Sequence, residues 1–333
     1  MLLEKDLLLY VAGALNGVGS ALLWTGSANY LVLNSSEKTL ARNTGLFWLC
    51  YQAGSLPGNL FVLIAFRDVS FKIDESHRHI VLFGITGILI TGSLLFLLLR
   101  QASPSEKKIV ADSPLQALKK AWDIARSRNI IILFAAFAYT GLHLTFTSGV
   151  YGASIGFTLQ LGEGVKKLVP LSAILVGCGE VFGGSIMRIF GNVNVFRINI
   201  FFTGAVIFNV FGYIIAYFSL PASANFGNTY DSSLIEPRLW LLLPSSFVFG
   251  VGDSFLHTQL YALVGSLYPE DSAPAFSIFK FLRNVFVAAS FYYSRYLQLT
   301  TQLIILTAAG VLGMISFNSM NFLNEKRRLR SNE

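Results

Sequence analysis

Long uncharged or nearly uncharged stretches alternate with short polar ones along almost the whole chain. About 20 apolar residues in α-helix cross a hydrocarbon core, and nine stretches approach or exceed that length: residues 7–33, 43–66, 80–99, 130–156, 168–190, 198–218, 239–268, 276–294 and 302–322. The pattern predicts an all-α, polytopic membrane helix bundle with about nine transmembrane helices. The connection at 100–129 departs from it. It opens with "RQASPSEKK", and then Leu115, Leu118, Trp122 and Ala125 recur at helical spacing among Lys119, Lys120, Arg126 and Arg128. Ser113 before Pro114 marks a helix start, because the hydroxyl can cap and proline needs no N–H in the first turn. The expected helix is basic and amphipathic, and lies on the inner membrane surface against anionic lipid. The rival reading is a regulatory or partner-binding helix.

The first and seventh stretches carry nearly the same words, "GVGSALLWT" at 17–25 and "GVGDSFLHT" at 250–258. The likeness continues in "ARNTGLFWL" at 41–49 against "APAFSIFKF" at 273–281. Copies six helices apart mean that a six-helix unit repeats, and two parallel six-helix halves are the plan of major facilitator transporters. On that register, spans four to nine form a complete second half and spans one to three the end of a first half. Three further helices are therefore expected upstream of Met1. The organisation reads as a partial N-terminal bundle over 1–99, a cytoplasmic linker over 100–129, a six-helix bundle over 130–322 and a cytoplasmic tail over 323–333.

Composition removes other classes. Hydrophobic residues make up 53% and charged residues 13%, with a mean hydropathy of +0.59, which leaves too little polar surface for a soluble globular fold. The net charge of +7 sits between apolar runs rather than in one basic patch, so nucleic acid is not an expected partner and the lipid bilayer is. Cys50 and Cys178 lie inside apolar runs, where a thiol behaves as a small hydrophobe. The start, "MLLEKDLLLYVAG", lacks the cationic region of a cleaved signal, and the tail "EKRRLRSNE" carries no lipidation or retrieval signal. One set of alternate connections holds 15 Lys and Arg and the other 8. Cytoplasmic loops carry the excess, so the C-terminus is expected in the cytoplasm and the N-terminus outside. The sequon Asn34-Ser35-Ser36 then falls in a cytoplasmic loop and is expected to stay unmodified.

The blocks "LYPEDSAPAFSIFKF" (267–281), "GVGDSFLHTQL" (250–260), "AYTGLHLTFTSGVYGASIG" (138–156) and "ARNTGLFW" (41–48) closely resemble the unc-93-like family of the major facilitator superfamily. Within it they resemble the major facilitator superfamily domain-containing protein eleven group. The resemblance spans essentially the whole chain. Two departures stand out: Trp24-Thr25-Gly26-Ser27-Ala28 replaces the family's "WxxQG", and His257 takes the place of its usual Asn before "TQ". The first of the superfamily's glycine-and-basic loop motifs has no counterpart.

Ionisable groups at membrane depth are costly and mark candidate sites. His143, Glu180 and Asp253 each fall about 12 to 14 residues into a span, near the midplane where transporters bind solute. Asp253 and His257 are four apart and share a helix face, with Gln259 on another. A carboxylate beside an imidazole can relay a proton; the bland alternative is a polar contact that fixes packing. Glu180 sits in "GCGEVFGG", where Gly179 and Gly183 form a small face for close helix approach. That run is no nucleotide loop, since no strand precedes it. Arg283 lies deeper than Lys280, which can snorkel. Arg283 needs a partner, for which Asp253 or Glu180 would serve as gate or staple. His143 among aromatics reads first as a satisfied core residue. The glycines over 149–156 allow close packing or a helix break.

No nucleophile stands with a base and no ligands cluster at metal spacing, so neither an enzyme nor a bound metal or cofactor is expected. The residues read as a carrier of an unknown small solute that rocks helix bundles around a midplane cavity, with Asp253 and Glu180 as its acids. The family resemblance implies an alternative, a chaperone or regulatory subunit of another membrane protein. A third reading is an inactive truncated product.

Overall fold

The computed structural model describes residues 6–34, 40–67, 69, 73–99, 113–190, 195–268 and 271–331. Ser35 and Ser36 of the sequon, Lys38, the "RQASPSEKK" segment, Pro269, Glu270 and the side chains of Arg42, Arg188 and Arg197 lie outside this description.

Helices occupy every predicted span. They are α1 (Asp6–Leu33), α2 (Leu40–Ala65), α3 (Glu75–Leu95), α4 (Pro114–Ala125), α5 (Arg128–Thr145), α6 (Tyr151–Phe157), α7 (Leu168–Phe190), α8 (Val195–Ser219), α9 (Leu239–Leu267), α10 (Ser272–Ser294) and α11 (Leu299–Ser331). α5 and α6 are one continuous rod joined by a π-helical turn at Phe146–Val150. Among the described residues, six helices are long and apolar enough to cross a membrane. In lipid the backbone must satisfy itself, so a closed helix is the form each apolar run takes.

Two units divide the chain. One comprises Met1–Tyr51 and Gly87–Ala111. In it Trp24 of α1 meets Phe47 and Tyr51 of α2 edge-on, with centroids 6.2 and 5.0 Å apart. A Cβ on Gly17 or Gly19, the glycines of the first repeat copy, would meet nothing within 4 Å.

The other unit, Gln52–Thr86 and Asp112–Glu333, holds the site. Its helices approach through small residues. At Gly179 a Cβ would collide with the carbonyl of Phe247, and at Gly250 with that of Val176, so α7 and α9 lie backbone to backbone. The hydroxyls of Ser172 and Ser246 meet across the same seam at 2.8 Å. Phe202 of α8 stacks on Phe317 of α11 at 3.9 Å. Two apolar clusters result. One gathers Phe137, Phe202, Leu256, Phe279 and Phe317; the second gathers Phe146, Tyr151, Phe249, Leu303 and Leu306.

Local chemistry sets the helix ends. Ser113 accepts from the amide of Gln116 while Gln116 returns a bond to the amide of Ser113, with Pro114 as first residue: a capping box. α4 docks by a side that leaves its apolar stripe outward. Ile124 is buried, Lys120 reaches Asp271 at 3.7 Å, and Leu115, Leu118 and Trp122 of the predicted stripe are exposed. In a membrane protein the outward face is the apolar one where it meets lipid.

Candidate functional site

Asp253 lies where the two apolar clusters meet. Along α9, Phe249 belongs to one cluster and Phe255 to the other, and Asp253 lies between them, 5% exposed. The "GVGD" of the second repeat copy has a packing explanation. Gly250 faces α7, and at Gly252 a Cβ would collide with Asn209 of α8. Glycines two apart thus admit two different neighbours and seat Asp253 deep between them.

Asp253 Oδ1 stands 3.6 Å from His257 Nε2, too far for a hydrogen bond, and Oδ1 has no hydrogen-bond partner among the described residues. Glu180 is half-buried on α7, beside the seam that Gly179 opens. Arg283 of α10 is brought in by Gly141 of α5, where a Cβ would collide with the carbonyl of Arg283 itself. No direct ion pair closes between Arg283 and either acid among the described residues, and its Nε is buried without a hydrogen-bond partner. The staple considered from sequence is therefore not formed; the cation is held at a distance from two acids. Lys280 places its ammonium 5.6 Å from the ring centre of Tyr261. Gln259 points away from the acids and donates to Met187 Sδ at 3.0 Å.

His143 is fully buried, and sequence reading missed its company. His143 Nδ1 lies 2.6 Å from the hydroxyl of Tyr213, which lies 3.4 Å from that of Tyr139, and Asn209 donates to Tyr139 at 3.1 Å. His143 Nε2 and Asn209 Oδ1 have no partner among the described residues, so His143 is only half satisfied. This network ties α5 to α8. One turn beyond His143 the rod widens into its π-helical turn. Thr147 and Ser148 donate to the carbonyls of His143 and Leu144 at 3.1 and 2.6 Å, covering acceptors that the widened register displaces. Close packing accounts for Gly156, where a Cβ would collide with Val169. Chemically, the centre offers an acid, a neighbouring base, a second acid and a fixed cation, enclosed by apolar layers.

Comparisons with known proteins place the chain in a family. A family model described as ion channel regulatory protein UNC-93 matches residues 1–318. The chain is 36% identical to the UNC93-like protein MFSD11 of Xenopus tropicalis over 329 residues, covering 92% of this chain and 74% of that protein. It is 37% identical to the Xenopus laevis counterpart over the same shares. Protein unc-93 homolog A of Mus musculus is 22% identical over 356 residues, covering 93% of this chain and 73% of its own.

Proposed function

The chain belongs to the UNC-93 family of multi-pass integral membrane proteins, and on that footing we propose that it is a secondary-transporter-like carrier of a small solute. Asp253, His257, Glu180 and Arg283 form the polar centre, and His143 with Tyr213, Tyr139 and Asn209 positions the helices around it. The observation that carries this reading is the missing direct pair. A structural ion pair closes on itself, because an uncompensated buried charge is costly. Here no direct ion pair joins Arg283 to Glu180 or Asp253 among the described residues, which leaves all three able to meet a proton or a polar solute group. Midplane charges of this kind mark solute and proton paths. The excess of basic residues supports a cytoplasmic C-terminus and an N-terminus on the other side.

The test is uptake by purified protein in liposomes, screened over small labelled solutes with and without a pH gradient. Asp253→Asn is expected to slow any uptake by about tenfold or more and to flatten its pH dependence, with thermal stability retained. Uptake at the wild-type rate and pH dependence would overturn the assignment.

A second reading has one support, the description of the family model as an ion channel regulatory protein. In that role the chain is a regulatory or chaperone subunit. It predicts no uptake of any solute, and a membrane partner that co-purifies in fixed ratio with wild type and Asp253→Asn alike.

A further inference from the structure

Lys166 is 6% exposed. Its ammonium donates to the carbonyl of Gly156 at 2.7 Å and to Asn228 Oδ1, and it stands 4.6 Å from the ring centre of Phe157. Those partners are neutral, and no carboxylate pairs with it among the described residues. An ammonium has three donors and no acceptor, so one N–H and the whole charge remain to be matched. Buried charges are ordinarily paired.

The same lysine lines a cavity of about 520 Å³ whose other walls include Phe66, Ile73, Phe157, Val169 and Asn228. That volume is in the range of ligand pockets, and the composition fits them, mostly apolar with a few fixed polar groups. The lining comes from the far end of α2, the approach to α3, the end of α6 and the start of α7, all helix termini, where the polar head groups of a bilayer lie. We infer that this cavity binds one anionic phospholipid, its phosphate on Lys166 and an acyl chain along the Phe66, Phe157 and Val169 walls. A single cation above an apolar chamber complements a molecule with one negative group and a hydrocarbon tail. The competing role for Lys166 is a clamp that ties the Asn228 loop to the end of α6.

Native mass spectrometry of the full chain in detergent separates the two. The probes are phosphatidylglycerol and phosphatidylcholine with identical acyl chains. Wild type is expected to retain phosphatidylglycerol preferentially. Lys166→Met is expected to reduce that preference about tenfold, the ratio that loss of one charge-assisted hydrogen bond gives, and Lys166→Arg to preserve it. Equal retention of the two lipids by wild type, or an unchanged preference in Lys166→Met, would overturn the proposal. Should Lys166→Met not fold, Ala153→Leu carries the test, since Ala153 lines the cavity and the larger side chain fills it while leaving the lysine clamp in place. Loss of the phosphatidylglycerol adduct supports the site, and wild-type retention rejects it.

Discussion

The hydroxyl of Tyr213 stands between a histidine nitrogen at 2.6 Å and a second tyrosine hydroxyl at 3.4 Å, all fully buried. Tyr213→Phe removes it and leaves His143 Nδ1 buried without a partner. The expected cost is about 1–3 kcal/mol, read as a lowered unfolding midpoint in detergent. Tyr139→Phe deprives Asn209 of its acceptor at similar cost, and the double variant should lose less than the sum because the two share one network. Strict additivity would show that the hydroxyls act independently. Asp253, Glu180 and His257 were legible as candidates because an ionisable residue inside an apolar run is conspicuous in one dimension. Tyr213, Tyr139 and Asn209 were not, since tyrosine and asparagine are unremarkable in a membrane helix and their partners lie about 70 residues away.

At the scale of elements, the closest helix approach rests on glycine. Gly250→Ala sets a methyl group against the carbonyl of Val176, and overpacking of this kind costs about 1–3 kcal/mol. Gly204→Ala is the control: within α8 a Cβ there meets nothing within 4 Å, so the change should be neutral or stabilising by up to about 1 kcal/mol through helix propensity. Thermal unfolding of the two variants checks both directions, and equal effects would contradict the packing account. The small-residue pattern around Glu180 announced a close approach; it did not announce which helix approaches. At the start of α3, the amide of His77 donates to Asp74 at 3.4 Å and the His77 ring meets the same carboxylate. The ring's hydrogen bond holds the Asp74 carboxyl below its usual range. A depressed carboxylate pKa gives stability that is complete above the ordinary value and is lost as pH falls through the lowered one. Amide exchange over the first turn of α3, corrected for intrinsic rates, should therefore quicken at acid pH in wild type. In Asp74→Asn, whose amide oxygen still accepts from His77 but does not titrate, that acid dependence should be lost.

For the whole molecule, the orientation proposal has a direct test. The last helix ends in Lys326, Arg327, Arg328 and Arg330, and Arg327 donates to Asn129 Oδ1 at 3.0 Å, so this end of α11 lies beside the start of α5. A protease-cleavable tag after Glu333 should stay protected in sealed cells and be cut only after permeabilisation; cleavage from outside would reverse the assignment. The sequence alone determined the helical class, the place of each long helix and the cap at Ser113 with Pro114 after it, whereas the last helix runs on to Ser331, through most of the expected tail over 323–333. These follow from local facts, since an apolar run of bilayer length must close its own backbone hydrogen bonds and a cap needs only its next three residues. Which face of each helix meets which neighbour was decided by tertiary structure. A helix apolar all round carries little periodic signal for its buried side, so the placing of Arg283 against Gly141 and the His143–Tyr213 network exist only once the packed helices are in register.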